Sequence, residues 1–401
     1  MKILQINAVY GLGSTGRTTA ELDQELAKKG IDSVIVTAIS NTKKENIYFV
    51  GNKLDRKFHG LFSRLFGKQG YFSVRASRKL INYINAEKPD VIHLRNLHAN
   101  YINVPMLLQF IADKEIPTVI TLHDCWLFTG KCCYYTDDKC EKWKFECGHC
   151  PALRKWNSSW FFDCSKRMLA DKKQYFSAIK KLAVIGVSDW ITNEARQSIL
   201  KNAWKIKRIY NWIDLSVFHS IDTNDIREKL SIDQEFVILG VSQTWSVEKG
   251  LLIFIKLAKQ MPEKKFVLIG DMPERFEMPE NILSVGSISD VHELAKYYDM
   301  ADVFLNPSIQ ETFGKTTAEA LACGTPVVGY NVTATPELIG NECGIAVDPE
   351  NDLDHLKAAI YEIESNTKAY YSHNCIEFAE DNFSKEKLID EYIALYEEII
   401  Q

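Results

Sequence analysis

The chain alternates short apolar, β-branched runs with helical patterns over most of its 401 residues, and it does so in two successive series. Runs of this kind are typical of strands that are buried on both faces of a parallel sheet. In chain order they are Ile3–Ala8, Val34–Ile39, Val91–Leu94, Val119–Leu122 and Ala183–Val187, then Phe236–Val241, Phe266–Ile269, Ile282–Val285, Val303–Leu305 and Val327–Gly329. The alternation predicts the α/β class, and the two series predict two doubly wound, Rossmann-like domains.

The domain boundary is predicted where the second series begins. We expect an N-terminal, acceptor-side domain over residues 1–205 with a cysteine-rich insertion at 125–164, and a donor-binding domain over residues 206–383. A final amphipathic helix is expected over residues 384–401. Because α/β sheets bind ligands beyond the carboxyl ends of their strands, a ligand is expected in a cleft between the two domains.

Charge and hydropathy exclude some classes of protein. The net charge of −5 and the pI near 6.0 argue against a nucleic-acid-binding protein. Met1-Lys2 leads straight into the first predicted strand, so no secretory signal is expected. No run of about 18 apolar residues is present, so no membrane span is expected either. These observations predict a cytoplasmic location.

The segment Glu311–Glu319, ETFGKTTAE, joins an apolar strand to a helix. Phe313 and Gly314 would let the backbone approach a ligand closely. The helix start, with Lys315 and Thr316, would then offer free N–H groups to phosphates. Glu311 would lie near a sugar, and Glu319 could accept both ribose hydroxyl protons. The alternative is an ordinary strand–loop–helix joint with two surface glutamates.

Glu311 and Glu319, followed by EALACGTPVV (Glu319–Val328), closely resemble the donor-site signature of glycosyltransferase family 4. That family comprises retaining enzymes of the GT-B fold, with two Rossmann-like domains and a C-terminal helix that crosses back to the N-terminal domain. The resemblance implies a UDP- or GDP-sugar donor, catalysis without a cofactor or divalent metal, and transfer of the acceptor proton to a departing phosphate oxygen.

Further donor-site residues are implied by the same resemblance. Lys249 matches the phosphate-binding lysine of the family, but Gln243 stands where many members carry arginine. Gln243 cannot supply charge, so Lys249 acts alone or Lys315 substitutes. Ser287 and Ile288 lie in the strand–loop segment that meets the nucleobase in the family.

A glycine-rich loop, Gly11-Leu-Gly13-Ser-Thr-Gly16, follows the first predicted strand and matches GxGxxG. An NAD-binding domain would carry an acid about 20 residues further on. The second strand instead ends in Thr37–Asn41, which has no carboxylate. We therefore favour a loop in which Gly13 and Gly16 approach the donor phosphates. A tight structural turn stays open as an alternative.

His123 follows a buried strand and matches the histidine that lies beside the donor sugar in the family, so we predict it as a catalytic residue with Glu311. The alternative is a satisfied histidine at a strand end. Arg95 and His98 follow the preceding strand and are predicted on the acceptor side. Family members often carry histidine where Arg95 stands, so this departure bears on acceptor choice.

Seven of the ten cysteines fall between Cys125 and Cys164. Four of them give the spacing C-x7-C-x6-C-x2-C, which suits a closed structural zinc site; they are Cys132, Cys140, Cys147 and Cys150. Reduced free cysteines or disulfides are the alternatives. The insertion itself resembles that of a family 4 subgroup that builds colanic acid and capsules.

The segment Lys53–Lys79 holds eight Lys/Arg and one acid, Asp55. Apolar residues at helical spacing make an amphipathic basic helix that could lie on an anionic membrane. The alternative is simply a helix that packs on the N-terminal domain. Peripheral attachment to the inner face of the cytoplasmic membrane is our hypothesis.

These observations together predict a retaining hexosyltransferase that acts on a glycan or lipid-linked glycan acceptor in the biosynthesis of capsule, O-antigen or exopolysaccharide. Two other functions remain open at this stage. One is a non-catalytic protein that closes on a nucleotide sugar, and the other is an NAD-dependent oxidoreductase.

Overall fold

A computed structural model describes residues 1–221, 223–340 and 342–401 of the chain. The chain divides into two compact units, one formed by Met1–Ile209 with Ile389–Gln401, the other by Tyr210–Leu388. The boundary falls after Ile209 rather than after residue 205, because Lys205–Arg208 pairs as a strand with the first sheet. This polar run, KIKR, lacks the apolar character on which the sequence prediction of strands depended.

The first unit is built on a parallel sheet. Its strands are β1 (Lys2–Ile6), β2 (Val9–Tyr10), β3 (Asp32–Thr37), β4 (Ile39–Ser40), β5 (Ile47–Phe49), β6 (Val91–Leu94), β7 (Thr118–Leu122), β8 (Leu182–Gly186) and β9 (Lys205–Arg208). Its helices are α1 (Gly13–Lys28), α2 (Lys53–Phe66), α3 (Val74–Glu87), α4 (Val104–Asp113), α5 (Ser165–Ala178) and α6 (Asp189–Gln197). Seven strands have the order β5-β3-β1-β6-β7-β8-β9, and β2 pairs with β4 in a small second sheet.

The second unit repeats the design. Its strands are β10 (Val237–Thr244), β11 (Lys265–Asp271), β12 (Ile282–Gly286), β13 (Val303–Asn306), β14 (Val327–Tyr330) and β15 (Gly344–Val347). Its helices are α7 (Asn224–Lys229), α8 (Leu251–Gln260), α9 (Val291–Met300), α10 (Lys315–Ala322), α11 (Thr335–Ile339), α12 (Asp352–Asn366) and α13 (Lys368–Phe383). The six strands are all parallel, in the order β12-β11-β10-β13-β14-β15.

Burial explains why the apolar runs form central strands. Strands β7 and β8 have all of their residues buried, as expected where helices cover both faces of a parallel sheet. All ten predicted strands are present, with ends that shift by at most three residues. The sequence analysis missed β5, β9 and β15, which are partly exposed strands at the edges of the two sheets.

The last helix, α14 (Lys385–Ile400), ends in the first unit. Buried His93 on β6 contacts Tyr396 through Nδ1 at 2.7 Å and Thr121 through Nε2 at 2.8 Å. The Tyr392 hydroxyl lies 3.1 Å from the Thr121 hydroxyl. These hydrogen bonds join the C-terminal residues to two central strands of the first sheet.

Candidate functional site

A lysine and a glutamate come together in the second unit, although 62 positions separate them in the chain. Lys249 Nζ lies 3.1 Å from Glu311 Oε1. Lys249 follows β10 and Glu311 follows β13, and these strands are parallel neighbours. The carboxyl ends of parallel strands, where α/β proteins bind ligands, therefore present a cation and an anion in direct contact.

Two glycines shape this edge of the sheet. Gly250 caps α8 at a φ of +79°, and a Cβ there would overlap the ring of Pro307, which follows β13. The close approach holds Lys249 beside the loop that carries Glu311. Gly314 caps α10 at a φ of +89° without a side-chain cap, so that Lys315 and Thr316 form the first turn of that helix. Backbone N–H groups at such a helix start attract anions.

Phe313 and Glu319 are buried in the second unit rather than exposed as ligand contacts. The Phe313 ring packs against the rings of Tyr210 and Phe383, with centroids 5.7 and 5.5 Å away. Glu319 is 3% exposed, and its Oε2 accepts a hydrogen bond of 2.9 Å from the Tyr298 hydroxyl. Phe313 thus anchors the loop that carries Glu311, and Glu319 joins α10 to α9. No local sequence pattern points to Tyr298, because it lies on α9, outside the segment Glu311–Glu319.

Ser287 and Ile288 follow β12 at the same edge of the second sheet. Ser287 is exposed and donates a hydrogen bond of 2.6 Å to Asp271, the last residue of β11. Gly286 has a φ of +81°, and nothing lies within 4 Å of where its Cβ would be. Gln243 is exposed near the end of β10. The carboxyl ends of four neighbouring strands thus gather the predicted donor residues Lys249, Ser287, Ile288, Glu311 and Lys315.

In the first unit, Arg95 contacts the histidine that the sequence predicts as catalytic. Arg95 Nη1 lies 3.3 Å from His123 Nε2, and the two residues follow the neighbouring strands β6 and β7. Burial, followed by the charge of Arg95, lowers the pKa of His123 to about 3. A guanidinium can only donate hydrogen bonds, so Nε2 of His123 must be the acceptor.

Arg95 itself is 1% exposed, and its Nε and Nη2 have no hydrogen-bond partner. Burial lowers its pKa, while nearby Tyr392, Tyr396 and Glu21 oppose this effect. The sequence analysis placed Arg95 on the acceptor side as a residue that bears on acceptor choice. In the structure the Arg95 side chain is buried against His123. Arg95 follows the central strand β6, and Tyr392 and Tyr396 of α14 lie near it.

His98 and Asp124 form a second contact between the same two strand ends. His98 Nε2 lies 2.7 Å from Asp124 Oδ2, and Asp124 Oδ1 accepts from the backbone N–H of Trp126 at 2.8 Å. Burial would lower the pKa of His98, but the Asp124 carboxylate raises it above its ordinary value. The sequence analysis missed Asp124, although its place directly after His123 at the end of a buried strand was a usable signal.

The glycine loop begins α1 and has two distinct sides. Gly13 is exposed at a φ of +62°, with open space where a Cβ would lie, whereas Gly16 is buried against Val9. Asn7, which the sequence analysis did not single out, donates from Nδ2 to the carbonyls of Val9 and Thr15. The loop therefore contains both a tight structural turn and an open backbone edge at Gly13.

The four predicted zinc ligands line one small cavity, together with Trp143, Pro151 and Lys131. The Cys132 thiol donates a hydrogen bond to Cys150 and lowers the pKa of that thiol. Among the described residues, however, the group whose three ligand-type atoms all lie within 4.8 Å of one another is His98, Asp124 and Cys133. The four sulfur atoms would have to move closer together to bind one ion.

Helix α2 turns its apolar residues outward. Leu54, Phe58 and Phe66 are 63%, 57% and 49% exposed, while His59, Gly60 and Ser63 are buried beneath the helix. The helix therefore packs on the domain, as the alternative interpretation expects, and its small and polar residues make that contact. None of the helices in the described parts of the chain combines enough length with enough apolar character to cross a bilayer.

Two family models match the chain. Residues 15–217 match "Glycosyltransferase Family 4", and residues 222–381 match "Glycosyl transferases group 1". Among curated proteins, the "Putative colanic acid biosynthesis glycosyl transferase WcaC" of Escherichia coli K12 is 22% identical over 423 aligned positions, which cover 100% of both chains.

Solved structures share the fold. Sucrose-phosphate synthase from Thermosynechococcus elongatus has a TM-score of 0.73 at 19% identity and covers 99% of this chain and 98% of its own. Anabaena HepE, in a complex with UDP-glucose, has a TM-score of 0.63 at 16% identity and covers 98% of this chain and 99% of its own. The two parallel-sheet units are the Rossmann-like halves of the GT-B fold.

Proposed function

This chain belongs to glycosyltransferase family 4, and we propose that it transfers a sugar, with retention, from a nucleotide-diphosphate donor to a glycan in the assembly of a bacterial surface polysaccharide. It is an enzyme of the hexosyltransferase type, which decides against the NAD-dependent oxidoreductase and the non-catalytic binding protein. Similarity to a colanic acid transferase over the full chain supports a capsule, O-antigen or exopolysaccharide product. We propose that the acceptor is a glycan and that it is lipid-linked.

The contact between Lys249 and Glu311 carries this proposal. The Lys249 ammonium and the uncapped N–H groups at the start of α10 supply positive charge for a diphosphate. When a donor binds, Lys249 turns from Glu311 to the phosphates, and the Glu311 carboxylate becomes available to sugar hydroxyls. Ser287 and Ile288 lie where the neighbouring strand end can meet the base. A UDP-sugar is the donor we favour, since a GT-B structure of similar fold holds UDP-glucose.

We propose retention by analogy with the family, and the protonation state of His123 is compatible with it. The bond between the anomeric carbon and the phosphate oxygen breaks, the acceptor oxygen bonds to the anomeric carbon on the same face, and the acceptor proton passes to the departing diphosphate. A histidine with a pKa of about 3 is too weak a base to take that proton near neutral pH. We assign His123 to hydrogen bonding with the sugar, and His98 with Asp124 to positioning of the acceptor.

We propose that the cysteine-rich insertion binds a structural zinc ion. Four thiols that line one cavity are the donor set of a closed tetrahedral site, and the thiol hydrogen bond between Cys132 and Cys150 favours ionisation of one of them. Bound zinc would draw the four sulfurs together and fix the insertion. It would perform no chemistry on the substrate.

Attachment to the membrane through residues 53–79 suits a lipid-linked acceptor. The exposed apolar residues of α2 and the surrounding lysines and arginines have the character of an interfacial helix. Polybasic attraction to an anionic leaflet contributes about 1 kcal/mol per Lys or Arg near the surface. The enzyme would then work on the inner face of the cytoplasmic membrane.

The first test is thermal stabilisation by UDP, GDP, UDP-sugars, GDP-sugars and NAD. A ligand at about 100 times its Kd adds roughly 2.7 kcal/mol to the free energy of unfolding. We expect UDP or GDP compounds to raise the Tm of the wild type, and we expect no such rise in Lys249→Ala. Stabilisation by NAD alone, or an equal effect in Lys249→Ala, would contradict the assignment of the donor site.

A further inference from the structure

Two segments that lie far apart in the chain form one exposed aromatic surface on the first unit. The first is the outward side of α2, and the second is a stretch of the cysteine-rich insertion in which Phe161 is 68% exposed and Phe162 is 55% exposed. We call this surface the aromatic face; its residues are Leu54, Phe58, Leu61, Phe62, Phe66, Trp160, Phe161 and Phe162.

Backbone contacts join the two segments. The N–H of Trp160 donates to the carbonyl of Arg64 at 2.8 Å, and the Cys164 thiol donates to the carbonyl of Phe66 at 3.3 Å. Gly67, directly after α2, leaves no room for a Cβ because the carbonyl of Phe162 occupies that space. The insertion therefore packs its backbone against the last turn of α2 and leaves its aromatic rings exposed.

The charge around the aromatic face is basic. Lys53, Lys57 and Arg64 on α2 are exposed. The one acid of this helix, Asp55, accepts from the N–H of Asn52 in a capping box. Beside the second segment, the Asp163 carboxylate accepts from the N–H groups of Cys150 and Ser165. The nearby carboxylates are thus engaged by backbone amides, while the cations face solvent.

We propose that Trp160, Phe161 and Phe162 enter the headgroup region of an anionic bilayer beside α2, so that the cysteine-rich insertion is a membrane-docking element. This inference rests on the membrane contact proposed above for residues 53–79. It adds a second anchor, which would fix the orientation of the first unit relative to the bilayer. Exposed aromatic rings flanked by cations suit the interface between headgroups and acyl chains. A bilayer of anionic lipid matches both the apolar and the basic character of the surface.

The test is binding of the full chain to vesicles of phosphatidylcholine with about 30% phosphatidylglycerol. Phosphatidylglycerol is anionic and supplies the charge that attracts a polybasic surface. The triple variant Trp160→Ser, Phe161→Ser, Phe162→Ser should bind on the order of 10-fold or more weakly, since burial of even one aromatic ring is worth that much. Tyr370→Ser, at an exposed aromatic position of the second unit, should bind like the wild type. Retained stabilisation by UDP would show that each variant is folded.

Different failures have different meanings. If the wild type ignores these vesicles, the membrane contact of residues 53–79 fails and this inference fails with it, while the donor-site assignment stands. If Phe58→Ser with Phe62→Ser abolishes binding but the triple variant binds normally, only the role of the insertion is overturned. A change from dimer to monomer in the triple variant, with unchanged vesicle binding, would assign the surface to a second copy of the chain.

A second measurement does not depend on the triple variant. Brominated lipids quench tryptophans that lie in the interface, so the wild type should lose more fluorescence than Trp160→Phe on the same vesicles. Equal quenching of the two proteins would place Trp160 outside the bilayer and overturn the proposal.

Discussion

Arg95 donates to His123 at 3.3 Å across the ends of two neighbouring parallel strands, so its charge adds to burial in keeping the predicted catalytic histidine neutral. Because Nε2 of His123 accepts this hydrogen bond, the neutral ring carries its proton on Nδ1. Arg95, at a position where the family often has histidine, thus contacts the predicted catalytic residue directly.

Replacement of Arg95 by glutamine should raise the pKa of His123 from about 3 toward, but not to, its ordinary value of 6.5, since burial is the larger cause of the shift. In the wild type, His123 takes up a proton near pH 6.5 in the unfolded chain but only near pH 3 in the folded chain. Its contribution to stability is therefore present above pH 6.5 and is lost as the pH falls toward 3, by up to ~1.4 kcal/mol per pH unit.

The variant should show a shallower loss of stability between pH 7 and 4, measured by urea unfolding, and an upward shift in the imidazole titration followed by NMR. Arg75→Gln, at an exposed arginine of α3, is the matched control and should leave both properties unchanged. An unaltered titration of His123 in Arg95→Gln would show that the contact does not control the ring.

Glu311→Ala should lower the rate of sugar transfer by about 10- to 150-fold, which corresponds to the loss of a charged hydrogen bond worth ~1.5–3 kcal/mol. Lys249→Ala should mainly raise the KM for the donor, because the lysine holds its phosphates. Steady-state kinetics with variable donor concentration separates the two effects. Lys256→Ala, at an exposed lysine of α8, should behave like the wild type.

Gly250→Ala should destabilise the second unit more than Gly286→Ala does. Both glycines have a φ near +80° and share the cost of a left-handed backbone, roughly 1 kcal/mol, but only a Cβ at position 250 would overlap Pro307. The difference between their free energies of unfolding isolates that overlap, and we expect it to be ~1–3 kcal/mol. Equal losses would mean that Pro307 moves aside freely.

The cysteine-rich insertion should bind one zinc ion per chain. Cys147→Ser should release the metal, and a loss of ~2 kcal/mol in the first unit would lower its Tm by about 4–8 °C. Metal analysis and calorimetry with and without chelator provide the readout. Cys323→Ser, at a buried cysteine of the second unit, should keep the zinc. Metal-free protein with an unchanged Tm in chelator would leave these thiols as reduced cysteines.

Tyr396→Phe should destabilise the first unit by about 1–3 kcal/mol, because it leaves the buried Nδ1 of His93 without its hydrogen-bond partner. Tyr370→Phe, at an exposed tyrosine of α13, serves as the control for removal of a hydroxyl. Chemical unfolding of the two variants measures the difference. A loss of less than about 0.5 kcal/mol would show that water replaces the Tyr396 hydroxyl.

Local sequence patterns were sufficient for the central strands and for the strand ends that carry Lys249, His123 and Glu311. In a parallel sheet, a residue that follows a buried strand must lie at the ligand-binding edge, so order along the chain predicts place in the fold. The buried contacts that support these strand ends could not be found in this way. The contact of Tyr298 with Glu319 depends on how one helix packs against another, and no spacing in either segment specifies it.

The outward rotation of α2 was equally hard to foresee. Periodicity identifies an apolar side of a helix, but it does not say whether that side meets the core or the solvent. Here Gly60 and Ser63 allow close packing on the polar side, and Phe58 is left outside. The choice between core and surface depends on the neighbours in space, which the segment itself does not encode.

The hydrogen bond between His93 and Tyr396 joins residues 303 positions apart, and the two residues belong to the same compact unit. During synthesis on the ribosome, the first sheet therefore emerges long before the helix that completes it. The first unit can finish folding only after α14 has been synthesised. A product that stops before α14 consequently lacks part of its N-terminal unit, although every strand of the first sheet has been made.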